Sequence, residues 1–185
     1  KAAEADMVSA FTMTNIPEAV GVVRAAERAG MPVAISFTLE TDGKLPAGQT
    51  LQEAIETTDA LTSGYAAYYM INCAHPTHFE RALETGKAWT QRIRGVRANA
   101  SRRSHAELDS APDLDAGDPV ELGEQYRDLR KTFRGITIVG GLLRELDVAI
   151  ENHAGSCRVP LIGLRDVALD ETDFGRRAMR ELLAR

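Results

Sequence analysis

The chain has 185 residues, of which 44% are hydrophobic and 26% charged, a composition of ordinary soluble globular domains rather than of disordered or fibrous chains. Its net charge of -5 at pH 7 and pI near 5.4 argue against nucleic acid as a partner, because phosphate binding wants Lys and Arg gathered on one face. No run approaches the ~18 consecutive apolar residues of a membrane span, and the opening KAAEAD is neither a signal nor a transit peptide; a cytoplasmic protein without membrane contact is expected.

The first residues read as the end of a helix entering a strand, which predicts an N-terminus further upstream. Residues 7–12 (MVSAFT) form a short apolar run, and Asn15-Ile16-Pro17 then opens a helical pattern that stops at Gly30, with Pro early and Gly just past the end. Residues 33–38 (VAISFT) are near-continuously apolar, and after a turn-rich loop Thr50 and Glu53 form a capping box before Ala54, Ile55 and Leu61. Residues 68–72 (YYMIN) begin a third unit, whose helix is predicted from near Pro76 to Gly86. Residues 93–98 begin a fourth, followed by a long polar, acidic loop and a helix capped by Asp118-Pro119 that runs to Arg134 and Gly135. Residues 136–139 (ITIV) are the fifth strand, with Gly140-Gly141 and a helix to about His153 behind it.

Strands that are apolar on both faces and each followed by a helix specify a parallel sheet with right-handed crossovers. An open doubly wound sheet and the later part of an eight-stranded barrel both satisfy this spacing. The polar residues favour the barrel: Thr12, Thr14, Thr38, Glu40, Asn72, Cys73, Asn99 and Gly140-Gly141 all fall at C-terminal strand ends, the rim that carries chemistry in barrels. Two cysteines, Cys73 and Cys157, are too few for a disulfide framework, so each is either a small buried hydrophobe or a thiolate or metal ligand. Arg92, Arg94, Arg97, Arg102 and Arg103 form the one basic cluster and read as a solvated surface before the acidic run 107–118.

Four blocks carry a resemblance: SFTLETDGKLPAGQTLQEAI (36–55), YYMINCAHPTHF (68–79), RGVRANAS (94–101) and IVGG (138–141). In this order they resemble the homocysteine S-methyltransferase family over residues 1–154, leaving 155–185 as a tail of unclear relation, partly helical. The resemblance implies an α/β fold, the C-terminal five strand-helix units of a (βα)8 TIM-type barrel with the N-terminal strands absent, and methyl transfer from an onium-type donor such as S-methylmethionine or betaine to homocysteine, giving methionine. It further implies zinc, held by one cysteine after the sixth strand and a pair after the last. Cys73 matches the first; where the pair would fall this sequence has Leu142 and Leu143, which carry no donor atom. Three thiolates would leave a fourth zinc position for the homocysteine sulfur, whose free pKa near ~8.5 keeps it mostly protonated at pH 7. Substrate contacts are expected from Asn72, Glu40 and Asn99, and self-association through the sheet edge at residues 7–12.

Other readings of these residues bear on the same chemistry. Cys73, His75 and His78 lie within six residues, and a Cys-His-His zinc site is chemically sensible; since Pro76 starts a helix, the two imidazoles are expected to point away from the strand end. His105 and His153 read as surface residues. With an incomplete ligand set the chain is an impaired enzyme, or a non-catalytic remnant or binding module. Were Leu142-Leu143-Arg144 encoded by CTG CTG CGG, the same string read one base later would give TGC TGC GG, Cys-Cys and the start of Gly, and a local frame error would explain the departure.

Overall fold

The computed structural model describes residues 5–140 apart from 114 and 116. The expected helix to about His153, the tail 155–185, Cys157, Leu142 and Leu143 all lie outside the described residues.

Among the described residues eleven elements follow in the order β1 (Val8–Met13), α1 (Ile16–Ala29), β2 (Val33–Thr38), α2 (Leu51–Leu61), β3 (Tyr68–Asn72), α3 (Pro76–Phe79), α4 (Ala88–Gln91), β4 (Ile93–Arg97), α5 (His105–Asp109), α6 (Pro119–Thr132) and β5 (Ile138–Gly140). The helix ends are chemically specified. The Asn15 side chain accepts from the Glu18 N–H at 2.9 Å, and Gly30 closes α1 in the left-handed region with φ 62°, where glycine carries no Cβ penalty. Thr50 and Glu53 complete the capping box of α2 in both directions, satisfying two N–H groups that the helix itself cannot.

All five strands pair in parallel in the order β1-β2-β3-β4-β5. Side chains alternate between faces, and the two faces bury different clusters. Val33, Ile35 and Phe37 of β2 and Tyr69 and Ile71 of β3 pack with Ala19, Val23, Leu51, Ile55, Trp89, Leu122 and Tyr126 from the helices. The opposite face gathers Ala34, Tyr68, Met70 and Ile138 with no helical residue among them. A doubly wound sheet reverses its strand order and carries helices on both faces. The sequential order, with the helices of the described residues on one face, is instead the arrangement that consecutive units of a (βα)8 barrel share.

Several expectations require correction. The helix expected over 76–86 stops at Phe79, because the backbone tightens there to an i→i+3 bond from Ala82 N–H to the Phe79 carbonyl, and the Phe79/Leu83 spacing is met by turns. β5 begins two residues late, since the Ile136 N–H is taken by the Phe133 carbonyl in a turn. The polar loop after β4 is not structureless: Ser104 and Glu107 form a capping box for α5, an S-x-x-E signal present in the sequence. The arginines do not form one solvated surface. Arg92 is half-buried against Asp59, while Arg102 pairs with Glu121 and Arg103 with Asp115.

Candidate active site at the C-terminal strand ends

The helix-free face of the sheet is apolar towards its N-terminal end and polar towards its C-terminal end, where Ser36, Thr38 and Asn72 are all buried. Thr38 pairs in register with Asn72, and Asn72 with Arg97. This places the C-terminal side chains of three neighbouring strands in one patch.

Cys73 is the residue after β3 and adopts φ +54°, a conformation that a non-glycine residue holds only at a cost. Its N–H donates to the Arg97 carbonyl at 3.1 Å. Its carbonyl accepts from Asn99 Nδ2 at 3.1 Å and faces His105 Nε2 at 2.6 Å. Its sulfur accepts from Asn72 Nδ2 at 3.1 Å. Glu40 stands at the end of β2, in a loop closed by the Glu40 N–H to the Lys44 carbonyl. Gly43 lets that loop lie against α3: a Cβ there, at φ +79°, would come within 2.8 Å of the His78 carbonyl oxygen. Glu40 Oε1 meets His105 Nδ1 at 3.1 Å.

His105 is therefore not a plain surface residue. α5 carries it back over the strand ends, where it joins the β2 loop to the end of β3. The signal that could have revealed it is the capping box itself, which starts a helix at His105 and so gives the loop a fixed shape. The loop is pinned at its far side as well: Ser101 Oγ donates to Asp115 Oδ2 at 2.8 Å, and Gly117 packs so closely on Ala100 that a Cβ would overlap it.

The Cys73-His75-His78 combination does not form. His75 caps α3 and its Nδ1 accepts from the Thr77 N–H, while His78 Nε2 lies 3.0 Å from the Arg102 carbonyl. Burial, then the charges of Arg102 and His78, push the His75 imidazole down to about 4, so it stays neutral as a capping acceptor must. Among the described residues no group of three His, Cys, Asp or Glu side chains converges as a metal site. One thiolate is a single ligand, and zinc centres need three or four; the described residues do not fit the zinc that the expected ligand set requires.

Of the expected substrate contacts, Asn72, Glu40 and Asn99 all lie at this rim. Asn72 has its amide fully occupied within the chain, through Thr12, Ser36 and Cys73. Asn99 donates to Cys73, but its buried Oδ1 has no partner among the described residues, and neither does the buried Oγ1 of Thr38. Thr38 was not singled out from sequence as a contact, since a threonine ending a strand carries no distinguishing signal.

Among the described residues, a five-stranded parallel sheet in sequential order with a cysteine at its C-terminal rim defines an α/β protein consistent with part of a TIM-type barrel. The sequence narrows this class: the homocysteine S-methyltransferase family model matches residues 1–142, and the chain belongs to that family. No curated protein matches the chain. Among solved structures, the YdjI aldolase from Escherichia coli K12 is 14% identical with a TM-score of 0.42, the match covering 92% of this chain and 70% of that one. A probable tagatose 6 phosphate kinase from Sinorhizobium meliloti 1021 is 13% identical with a TM-score of 0.49, covering 82% of this chain and 46% of that one. Likenesses at this level say nothing about activity.

Proposed function

We propose that this chain is a homocysteine S-methyltransferase-like protein whose rim receives homocysteine beside Cys73, in a reaction that moves a methyl group from an onium-type donor to the homocysteine thiol and yields methionine. The observation that carries the reading is that two of the buried polar atoms without a partner among the described residues, Thr38 Oγ1 and Asn99 Oδ1, lie at the same end of the sheet as Cys73. A buried acceptor left empty costs about 1–3 kcal/mol, so such atoms mark where a ligand's donors belong. An amino acid's ammonium supplies three N–H donors, and Glu40, with its side chain about one-third exposed, adds a carboxylate of opposite charge nearby. The barrel of which these five units would form the C-terminal part fits this placement.

The same reading makes the chain as written an impaired enzyme. Cys73 is one thiolate, and the two further positions are leucines. The family match ends at residue 142, the first of them, which is also where the alternative codon reading begins. Sequencing the DNA through codons 142–144 tests that point, and any bases other than CTG CTG CGG there remove the frame-error explanation. The functional test is zinc titration of the Leu142→Cys, Leu143→Cys double variant with Cys73→Ala as control, followed by methionine formation from homocysteine and S-methylmethionine. Gain of zinc binding that depends on Cys73 is expected; no gain, or a gain that survives Cys73→Ala, would show that the three positions do not converge. Calorimetric titration of the unmodified chain with homocysteine separates the second reading, a binding module, which would take up the amino acid without turning it over.

A further inference from the structure

The Asn72 side chain is the most completely constrained group in the site. Its Oδ1 accepts from the Thr12 N–H at 3.1 Å and from Ser36 Oγ at 2.6 Å. Its Nδ2 donates to Thr12 Oγ1 at 2.9 Å and to Cys73 Sγ at 3.1 Å. An amide offers two acceptor lone pairs and two N–H donors, and all four are used. The Thr12 N–H can only donate, so the Oδ1 must face it, and this fixes which end of the amide points at the sulfur. The contacts come from β1, β2 and the residue after β3, so one side chain ties three strand ends together. On either side of it the backbone is left-handed at non-glycine residues, Thr12 with φ 59° and Cys73 with φ 54°. Strain of that kind persists only where surrounding contacts over-determine it, and here both strained residues bond to the same amide.

We propose that Asn72 is the positioning residue of this site: it takes no substrate itself and instead fixes the direction of the Cys73 thiol through the Nδ2–H to Sγ hydrogen bond. The inference rests on the reading of Cys73 as the sulfur beside which homocysteine is received, and adds how that sulfur is held. A ligand reaching the rim past Thr38 and Asn99 then meets a sulfur in one orientation rather than a freely rotating thiol.

The test uses the full chain, which carries its own reference in Cys157. Iodoacetamide labelling is followed at both cysteines by peptide mass spectrometry, and the Cys73 to Cys157 rate ratio is compared across variants. Asn72→Asp is isosteric but sets a carboxylate oxygen where an N–H pointed at the sulfur. Losing that hydrogen bond and setting a carboxylate against the thiolate that alkylation requires should lower the ratio by about fivefold or more. Should that variant not fold, Ser36→Ala, which removes one clamp on the amide and leaves the sulfur untouched, should shift the ratio in the same direction by about twofold. In the wild type, alkylating Cys73 should also move the Asn72 side-chain amide resonances in a nitrogen-proton correlation spectrum. A ratio unchanged in the folded variants, or Asn72 amide resonances that ignore alkylation, would reduce Asn72 to a tie between strands. Neither readout uses zinc or methionine formation, so failure of the methyltransferase reading is distinguishable from failure of this one.

Discussion

Two polar clusters sit at opposite ends of β3, both within reach of water yet mostly buried, and they are built on different terms. At the N-terminal end Asp59 accepts the Tyr69 O–H at 2.8 Å and two N–H groups of Arg92 at 2.8 and 3.0 Å. The guanidinium goes on to the Ala66 carbonyl and lies 5.4 Å from the centre of the Tyr69 ring. The cluster is closed on itself. Burial, then the Asp59 carboxylate, push the Tyr69 phenol far above its ordinary range, which keeps it a neutral donor. At the C-terminal end Cys73, Asn72, Asn99, His105 and Glu40 form a comparable network, but Thr38 Oγ1 and Asn99 Oδ1 are left over among the described residues. Buried polar groups are satisfied in the great majority of native structures. A closed cluster therefore reads as part of the scaffold, and an open one as a place made for something else.

The largest expected effect tests the closed end. Arg92→Ala leaves the Asp59 carboxylate without its partner while the carboxylate side chain is only 25% exposed. A cost of about 2–3 kcal/mol in urea unfolding is expected, below the full value for a deeply buried pair. Homocysteine titration of the folded variant should be unchanged; weakened binding would mean that the two clusters are coupled through β3 and that the distinction fails.

Next in size is the pH response of His75, which belongs to the closed kind although it sits near the rim. Its folded pKa is about 4 against an ordinary 6.5, so the unfolded chain binds the extra proton between those values. The contribution is complete above about pH 6.5 and is lost as the pH falls towards 4, amounting to on the order of 2–3 kcal/mol. His75→Asn keeps a capping side chain but cannot titrate. Urea midpoints of wild type and variant at pH 7.5 and pH 4.5 should converge at the lower value; parallel lines would show that His75 is not the group responsible.

Smaller still is Tyr69→Phe, which removes one neutral donor to a charged acceptor and should cost about 1 kcal/mol. The smallest effect sharpens the comparison most. Thr38→Val removes a hydroxyl that has no partner among the described residues and should change stability by under about 0.5 kcal/mol in either direction, yet weaken homocysteine binding several-fold if the oxygen serves the ligand. If Thr38→Val costs as much stability as Tyr69→Phe, the open cluster holds a structural partner after all.

The difference in legibility between the two ends has the same physical root. Local chemistry set the helix and strand bounds: β2 and β3 lie on the residues their apolar runs mark, and α1 and α2 start at the caps that Asn15 and the Thr50/Glu53 pair announce. Cys73, Glu40 and Asn99 could be placed at the rim because a strand followed by a helix puts its last residues there whatever surrounds them. Where the outcome depended on competition between nearby contacts, the sequence pattern was not enough. The Phe79/Leu83 spacing suits a helix and a pair of turns equally, and the turns prevail beside the Gly43 loop.

By itself, the sequence determined the element types, the parallel α/β class and the family blocks, because each of these is written in neighbouring residues or in their order. Only the tertiary structure decided that the strands run in sequence with helices on one face, that His105 returns across 65 residues of chain to meet Glu40, and that Asn72 joins Thr12 and Ser36 to the Cys73 sulfur across as many as 60. Hydrogen bonds between residues so far apart depend on which strand ends the sheet brings side by side, and no local pattern encodes that adjacency.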